Sequence, residues 1–395
     1  MRTWIASAAI VVAVAAPASA VSAAPAEAAV RPVSGAVVAN SYIAVFASSS
    51  GAAAASDAAR LAGRHGATVD RTYAAGLRGF SFTGTAQAAR RIAADPAIAY
   101  VQPNAIVSLT ATQPNPPSWG LDRIDQRNRP LDTAYTYSNT APSVHAYVID
   151  TGILFGHTDL GGRAASGFDF IDNDADASDC NGHGTHVAGT IGGTAYGVAK
   201  GVSLVGVRVL NCSGQGTTDQ VIAGINWVTA NAVQPAVANM SLGGGANTAL
   251  DDAVRASIAS GVTYAIAAGN GFLGLFALDA CTQSPARVTQ AITISATNIN
   301  DAKPSWANRG TCVDVFAPGV NITSAWNTST TATNTISGTS MATPHVVGAV
   351  ALYLQNNPAA TPAQVQSAVV AAATAGVVTS PGSGSPNRLL YAGLF

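Results

Sequence analysis

Five short apolar runs, each about the length of a strand, constrain the fold of the longer, C-terminal part of this chain. They are apolar along their whole length rather than at alternate positions, which is typical of strands buried on both faces of a sheet. The runs are residues 144–149, 202–210, 236–240, 263–267 and 292–295. Segments that favour helices lie between and after them, at 185–194, 218–231, 249–260 and 340–355. This alternation predicts an α/β fold with a doubly wound, mostly parallel sheet.

Length and charge narrow the class further. A chain of 395 residues exceeds one typical domain and leaves room for others. Only 10% of its residues are charged, against roughly 25% in an average globular protein. No basic patch for nucleic acid is evident, and no later segment is apolar enough to span a membrane. We therefore expect neither a nucleic-acid partner nor a membrane anchor.

The first segment has the features of an export signal. Arg2 precedes an apolar run at 4–16, and Ala18-Ser19-Ala20 forms a cleavage site of small residues. We predict that residues 1–30 are a signal peptide and leader, and that the protein is secreted into the extracellular medium.

Residues 31–110 form a predicted unit of their own. Strand patterns at 42–46, 67–73, 79–83 and 105–109 are interleaved with helix-forming segments at 52–65 and 86–94. This order is typical of a split βαβ sandwich, so we expect a small α+β, ferredoxin-like domain. The unit carries seven basic and three acidic residues (net charge +4), whereas residues 111–395 carry eleven basic and sixteen acidic residues (net charge −5). Opposite charges favour docking of one part on the other.

Three polar residues stand where predicted elements begin or end. Asp150 closes the first apolar run, His183 lies in a glycine-bounded turn, and Ser340 lies among small residues at the start of a predicted helix. A serine hydroxyl is a weak nucleophile unless a nearby base activates it. Each residue alone could be a cap, turn or core residue, but together they predict an Asp–His–Ser triad. Two further histidines are not expected to take part in catalysis. His183-Gly184-Thr185-His186 lacks the glutamate and the spacing of a His-Glu-x-x-His zinc site, and we expect His345 to pack in the interior.

The chain order Asp…His…Ser, with its flanking residues, resembles the subtilisin-like serine proteases. The matching motifs are Asp150-Thr151-Gly152, Asn181-Gly182-His183-Gly184-Thr185-His186 and Gly338-Thr339-Ser340-Met341-Ala342. From about residue 40 onward, the chain is most similar to the proteinase K and aqualysin branch. The resemblance implies a serine endopeptidase in which His183 takes the proton of Ser340 and Asp150 orients His183. It also implies that Asn270 and the Ser340 backbone N–H bind the oxyanion.

Two other classes of function fit this sequence less well. An esterase of the α/β-hydrolase type needs the order Ser…Asp…His and a second glycine where this chain has Ala342. A binding module derived from a protease would typically have lost a triad residue or Asn270, and all four are present.

The resemblance extends to residues 31–110, which are similar to the inhibitor propeptide of these enzymes. It implies a peptidase domain at 111–395 and a propeptide that inhibits the enzyme and assists its folding. Self-cleavage is expected between Thr110 and Ala111, although a plain linker would also fit this polar, proline-rich boundary. The mature enzyme is expected to be a monomer that acts on polypeptides.

Two glycine-rich segments match the family's substrate-binding edges: Ser213, Gly214, Gln215 and Gly216, and Ser241, Leu242 and Gly243. Glycines let an extended peptide approach and pair through its main chain. Neither segment carries a charge, so we expect broad specificity with an apolar or aromatic side chain before the cleaved bond.

Four cysteines in an exported protein indicate two disulfides, and the sequence alone permits three pairings. The resemblance to aqualysin-like enzymes implies Cys180–Cys212 and Cys281–Cys312.

The resemblance also implies structural Ca²⁺, which prefers oxygen ligands. The first predicted site is Asp314 with the backbone carbonyls of Thr289 and Ala291. A second is the carboxylate cluster Asp172, Asp174, Asp176 and Asp179. A third is Asp122, Asp125, Gln126 and Asp132, which departs from the family pattern at Ala134, where a relative supplies a side-chain oxygen.

Overall fold

The computed structural model describes residues 26–33, 37–47, 55–106, 110–272 and 274–395. The predicted signal peptide, including Arg2 and the run at 4–16, lies outside the described residues. The chain divides into two compact units between Ile106 and Val107. Within the described ranges, no helix combines the length and apolar character needed to cross a bilayer.

The N-terminal unit is a four-stranded antiparallel sheet with two helices. Its elements are β1 (Val37–Phe46), α1 (Ala55–Arg64), β2 (Thr68–Tyr73), β3 (Gly79–Thr83), α2 (Ala86–Ala93) and β4 (Ile98–Ala105). The strand order β2-β3-β1-β4 confirms the predicted ferredoxin-like arrangement. Phe80, Phe82 and Ile92 are fully buried between the sheet and the helices. Glu27, assigned from sequence to the leader, already pairs with Arg90 of α2 at 2.8 Å.

The prediction for the last strand of this unit was wrong. We expected it at 105–109, but it spans Ile98–Ala105, and residues 107–109 lie outside the described ranges. The misleading signal was Pro103, which lacks an N–H and argues against a central strand. The proline is tolerated because β4 is an edge strand that pairs with β1 alone.

The C-terminal unit is built around a nine-stranded sheet in the order β18-β19-β15-β14-β12-β10-β7-β9-β8. Its helices are α3 (Trp119–Ile124), α4 (His183–Gly192), α5 (Thr218–Asn231), α6 (Thr248–Ala259), α7 (Thr339–Asn356) and α8 (Pro362–Ala372), with short 3₁₀ turns at Thr158–Leu160 and Ala280–Thr282. Its strands are β5 (Ala111–Pro114), β6 (Ala134–Tyr137), β7 (His145–Asp150), β8 (Ala164–Asp169), β9 (Ser203–Arg208), β10 (Ala236–Met240), β11 (Gly244–Gly245), β12 (Thr263–Ala267), β13 (Gln283–Ser284), β14 (Ile292–Thr297), β15 (Val315–Pro318), β16 (Ile322–Ala325), β17 (Thr333–Ile336), β18 (Thr374–Ala375) and β19 (Arg388–Leu389).

Seven neighbouring pairs in this sheet are parallel, and only β18–β19 is antiparallel. The predicted doubly wound, mostly parallel sheet is therefore confirmed. The five apolar runs correspond to β7, β9, β10, β12 and β14. From β7 the chain first passes to the edge strand β8 and returns to β9 beside β7, and it then builds in the other direction through β10, β12, β14 and β15. The strand order thus reverses between β7 and β10, and ligands bind at such switch points beyond the carboxyl ends of the strands.

Helix α7 forms the centre of one face of the sheet. Nearly all of its 18 residues are buried, so that it is apolar around its whole circumference rather than along one stripe. Two histidines are buried in this layer. His186 of α4 donates from Nε2 to the Ile322 carbonyl at 2.9 Å, and His345 of α7 donates from Nδ1 to the Met341 carbonyl at 2.9 Å. The interior location expected for His345 is therefore observed, and His186 is buried as well.

Because these two histidines are buried, we predict that the protein loses stability in acid. Burial lowers the pKa of His186 and of His345 to about 4, so the native state keeps them neutral while the unfolded chain takes up protons below about pH 6.5. Stability is therefore lost as pH falls from about 6.5 to about 4, by about 3 kcal/mol for each histidine. Urea unfolding of the inhibited enzyme at several pH values measures this slope. Replacing His345→Leu should flatten it; an unchanged slope would contradict this explanation.

Candidate active site

Asp150 and His183 are held together at the carboxyl end of the central strand. Asp150 is the last residue of β7 and is completely buried, and His183 is the first residue of α4. His183 Nδ1 lies 2.7 Å from Asp150 Oδ1, which also accepts the Thr151 N–H at 2.7 Å. Burial disfavours the imidazolium, but the Asp150 carboxylate outweighs this effect and raises the pKa of His183. This pair can fix the tautomer of the imidazole and stabilise its charged form.

The turn before His183 is organised by Asp179. Its Oδ1 accepts bonds from Thr151 Oγ1 and from the Asn181 and Gly182 N–H groups, each at 2.9 Å. Its Oδ2 accepts the Thr185 N–H at 3.0 Å and Thr185 Oγ1 at 2.6 Å. The carboxylate thereby ties the end of β7 to the first turn of α4, which fixes the position of His183 relative to Asp150.

Gly182 completes this turn for a steric reason. Its φ of +113° is one that L side chains rarely adopt. A Cβ atom built there would also lie 2.5 Å from the Trp326 ring. Only glycine permits this close approach of the turn to the indole.

Ser340 lies in the first turn of α7, where backbone N–H groups have no partners within the helix. The neighbouring N–H groups of Gly338, Thr339 and Met341 bond to Gly319 O, Asn270 Oδ1 and Gly338 O. The Ser340 N–H has no protein acceptor in the described part of the chain, and is free to bind an oxyanion. The Ser340 hydroxyl donates to the Ser241 carbonyl at 3.0 Å.

Pro344 leaves the Ser340 carbonyl free to bond to the residue that follows β10. A proline in a helix has no N–H to donate to the carbonyl four residues earlier, which here belongs to Ser340. That carbonyl instead accepts the Ser241 hydroxyl at 2.9 Å. Ser241 directly follows β10, so this bond fixes Ser340 relative to the carboxyl edge of the sheet.

Asn270 is oriented by Thr339, the residue before the nucleophile. Asn270 Oδ1 accepts both the N–H and the Oγ1–H of Thr339, at 2.8 and 2.9 Å. Thr339 is completely buried and its hydroxyl accepts the Gly269 N–H at 3.1 Å. With its oxygen engaged, the Asn270 amide presents its NH₂ group as a donor. The structure thus brings Asn270, Thr339 and Ser340 together, as the sequence predicted for Asn270 and Ser340.

Two adjoining cavities lie over these residues. One of 1080 Å³ is lined by His183 and by both predicted substrate edges, Ser213–Gly216 and Ser241–Gly243. A smaller one of 220 Å³ is lined by Ser340, Asn270 and the Ser241–Gly243 edge, with Ala268 and Ala286 among its apolar lining residues. The shared edge joins them into one cleft, which is long enough for an extended chain and has a pocket beside the nucleophile.

Sequence reasoning missed an apolar rim beside the small cavity. Gly271 lines that cavity, and Phe272, Leu275 and Phe276 after it are 61%, 59% and 70% exposed. The Ala277 N–H bonds to the Ser305 carbonyl and the Leu278 N–H to Asn308 Oδ1 at 2.7 Å, so the base of this loop is attached to the pocket wall. The uncharged stretch Gly271-Phe272-Leu273-Gly274-Leu275-Phe276 was the signal that could have found it.

Comparison with known proteins shows the family. Residues 143–390, more than half of the chain, match the family described as "Subtilase family". This chain belongs to the subtilase family. Residues 38–110 match "Peptidase inhibitor I9", so this subtilase carries an N-terminal domain of the inhibitor-propeptide type.

Its relatives are proteinases. An extracellular serine proteinase of Thermus sp. is 58% identical over 82% of this chain and 78% of its own length. Alkaline serine exoprotease A of Vibrio alginolyticus is 53% identical over 82% of this chain and 60% of its own length. The crystal structure of a cold-adapted subtilisin-like serine proteinase is 56% identical, with a TM-score of 0.67 over 69% of this chain and 97% of that one. The protein is thus a serine endopeptidase, consistent with the aqualysin and proteinase K branch.

The two disulfides in the subtilase are Cys180–Cys212 and Cys281–Cys312, the pairing that the resemblance implied, and no cysteine in the described ranges is free. The first links the turn before His183 to the start of the Ser213–Gly216 edge. The second links the segment after the apolar rim to the segment before β15.

The oxygens of the first predicted calcium site converge. The Thr289 and Ala291 carbonyls and Asp314 Oδ1 all lie within 3.5 Å of one atom, the side-chain nitrogen of Gln366. Burial raises the pKa of Asp314 to about 6, against a smaller opposing effect of the Thr293 N–H that its Oδ2 accepts. A small set of oxygens around one point, one of them from a carboxylate, fits a calcium ion.

The carboxylates of the second predicted site are engaged by other groups in this structure, and calcium binding there stays a prediction. Asp179 is saturated by the five donors described above. Asp172 forms an ion pair with Arg208 at 2.8 Å, whereas Asp174 and Asp176 accept backbone N–H groups two residues further on. Within the described ranges, no three His, Cys, Asp or Glu side chains are grouped so as to hold a metal.

The third predicted site keeps one unpaired oxygen. Asp125 Oδ1 is buried without a hydrogen-bond partner. Burial, and then the nearby carboxylates of Asp132 and Asp122, raise the pKa of Asp125 to about 7. Gln126 Oε1 accepts the Asp132 N–H at 3.2 Å. An unpaired oxygen among neighbouring carboxylates is an arrangement that a cation would stabilise.

The Asp179 network makes a testable prediction. Asp179→Ala would leave two buried hydroxyls and three N–H groups without their acceptor, and should lower the free energy of unfolding by at least about 3 kcal/mol. The Asp179 charge also helps to raise the pKa of His183, so the acid limb of the kcat/KM–pH profile should move to lower pH. The matched control is Asp176→Ala, at an exposed position of the same loop. Unfolding curves and pH profiles test both; equal stability of the two variants would refute the network.

Proposed function

We propose that this subtilase hydrolyses polypeptides through a triad of Asp150, His183 and Ser340, with Asn270 and the Ser340 N–H as oxyanion donors. The observation that carries the proposal is the 2.7 Å contact of His183 with a fully buried Asp150. Ser340, at the N-terminus of α7, lines the cavity that adjoins the one lined by His183. His183 Nε2 takes the proton of Ser340 as its oxygen attacks the peptide carbonyl. The charge on the carbonyl oxygen is stabilised by the Asn270 NH₂ and the Ser340 N–H.

The leaving amine then receives the proton from His183. In the second half of the reaction, His183 takes a proton from water, the water oxygen attacks the acyl-enzyme, and the proton returns to Ser340 as the product acid leaves. Asp150 keeps Nδ1 protonated, so that Nε2 is the basic nitrogen. Each group required is supplied by the peptidase unit of one chain, which is consistent with a monomer.

The cleft favours an extended substrate with apolar side chains. The edges Ser213–Gly216 and Ser241–Gly243 can pair with a peptide main chain regardless of its sequence. The small cavity beside Ser340 has no charged lining residue, so we propose that an apolar or aromatic side chain before the cleaved bond enters it. The apolar rim at Phe272, Leu275 and Phe276 extends this preference beyond the cavity.

We further propose that the chain is exported as a precursor, and that Ser340 cuts it between Thr110 and Ala111. Ala111 begins β5, which pairs with β6 through Ala111–Tyr137 to Pro114–Ala134. A cut at this position would leave the new N-terminus held in a sheet of the peptidase unit. The segment before the cut contains the domain of the I9 inhibitor type, which supports its role as an intramolecular inhibitor.

Structural calcium is proposed at the Asp314 site and at the Asp125 site. Asp314 with the Thr289 and Ala291 carbonyls would hold one ion. At the other site Asp125 would supply its unpaired oxygen, and Asp122, Gln126 and Asp132 would have to move closer to complete the coordination, because these carboxylates are not grouped around a metal position in this structure. A bound ion would neutralise buried carboxylates and stabilise the native state by mass action.

The nucleophile is tested by Ser340→Ala. This variant should accumulate as an uncleaved precursor and lose about 10⁶-fold in kcat, the scale measured for the triad serine of subtilisin, a member of this family. The control is Ser337→Ala, three residues earlier and exposed, which should be processed normally. Mass spectrometry of protein made without other proteases gives the new N-terminus; normal processing of Ser340→Ala would exclude self-cleavage.

The calcium proposal is tested by chelation of the mature enzyme. Removing the ion should shorten the half-life at elevated temperature much more than it lowers the initial rate at low temperature, because the ions stabilise the native state and take no part in the reaction. Inactivation is followed with EDTA and with excess Ca²⁺. Equal half-lives under the two conditions would contradict both sites.

A further inference from the structure

Gln366 occupies the centre of the oxygen cluster at Asp314. It belongs to α8, remote in sequence from the other residues of the cluster, and its side-chain nitrogen lies 2.9 Å from the Ala291 carbonyl, 3.1 Å from the Thr289 carbonyl and 3.5 Å from Asp314 Oδ1. The three oxygens come from the loop before β14 and from the residue before β15. The side chain of Gln366 thus connects a helix to two loops through one NH₂ group.

The chemistry of the neighbours shows which end of the amide faces them. All three are acceptors, so only the NH₂ end can form hydrogen bonds there. An NH₂ group has two protons, whereas three acceptors surround it. Asp314 Oδ1 has the longest contact, and it is the oxygen that the hydrogen bonds satisfy least.

We infer that the Gln366 amide is a built-in competitor for calcium at the Asp314 site. The nitrogen lies where an ion would contact the same three oxygens, and Ca²⁺ needs oxygens at 2.3–2.6 Å with no donor among them. Binding of the ion therefore requires the Gln366 side chain to turn away and to give up its bonds to Thr289 and Ala291.

Two consequences follow for this chain. Without calcium, the amide satisfies the two carbonyls and holds α8 to the loop before β14, so the calcium-free enzyme keeps part of the stability that the ion would supply. With calcium, the apparent calcium affinity is lower than the intrinsic affinity of the open site, because the amide occupies the site in a fraction of the molecules. Gln366 therefore sets the calcium affinity of this site without being one of its ligands.

The experiment compares four mature enzymes inactivated with phenylmethylsulfonyl fluoride: wild type, Gln366→Ala, Ser367→Ala and Asp314→Asn. Ser367 is the next residue of α8 and is exposed, so Ser367→Ala controls for the helix. Calcium binding is measured by titration calorimetry, and the heat lost in Asp314→Asn identifies the site. Thermal unfolding is recorded in EDTA and in excess Ca²⁺.

Gln366→Ala should bind calcium at the Asp314-dependent site about ten-fold more tightly than wild type, since competition by two hydrogen bonds is removed. In EDTA its unfolding midpoint should fall by about 2–4 °C, and excess Ca²⁺ should abolish that difference. Ser367→Ala should match wild type in both measurements.

Unchanged affinity in Gln366→Ala would overturn the inference while leaving the calcium site intact. Weaker binding would also overturn it, because the side chain would then be a ligand that turns its oxygen to the ion. This inference rests on the proposed calcium site. Absence of Asp314-dependent binding in both wild type and Gln366→Ala would therefore refute that proposal itself, and with it the competition.

Discussion

The candidate active site depends on one constraint, the meeting of the N-terminus of α7 with the carboxyl ends of β10, β12 and β15. α7 is buried on all sides, so its position is fixed by packing and not by the residues of the site. Three contacts align its first turn with the sheet. The Ser340 carbonyl accepts the Ser241 hydroxyl after β10, Thr339 binds Asn270 after β12, and the Gly338 N–H bonds to the Gly319 carbonyl after β15. These contacts determine where Ser340 and the Asn270 amide lie relative to the sheet.

The elements that the sequence predicted best are those buried on both faces. The run at 236–240 and that at 263–267 coincide with β10 and β12, because a fully apolar stretch has a single stable location, the middle of the sheet. The outer strand β8 was not predicted. Its sequence, Ala164-Ala165-Ser166-Gly167-Phe168-Asp169, contains a glycine and has neither an apolar run nor a regular alternation, and only Asp169 is buried. Strands at the edge depend on the partner that they pair with, and sequence patterns contain little of that information.

Some residues of the candidate site could be predicted from the sequence and others could not. Asp150, His183, Asn270 and Ser340 could be predicted because each lies next to a strand or helix terminus within a recognisable motif. The hydrogen bonds of Asp179 could not, since its sequence context is a run of alternating aspartates, and only the fold shows that it faces Thr151 and Thr185. The contact of Gln366 with Asp314 could not be predicted either, for a different reason. It stands on an ordinary helix 52 residues after Asp314, and nothing in the local sequence connects the two.

The topology of the peptidase unit gives a physical reason for a folding aid. Its first helix is fixed by residues near the other end of the chain. Arg123 of α3 is completely buried and pairs with Asp301 at 2.7 Å, and Arg127 after it donates to the Ala372 carbonyl. A buried cation without its partner is strongly unfavourable, so this start of the unit gains stability only after distant segments have folded. Parallel sheets also form through non-local pairs, whose loop-closure entropy is lost before their contacts are gained. The N-terminal unit differs from the peptidase unit in both its pairing and its charge, since its sheet is entirely antiparallel and its net charge is positive.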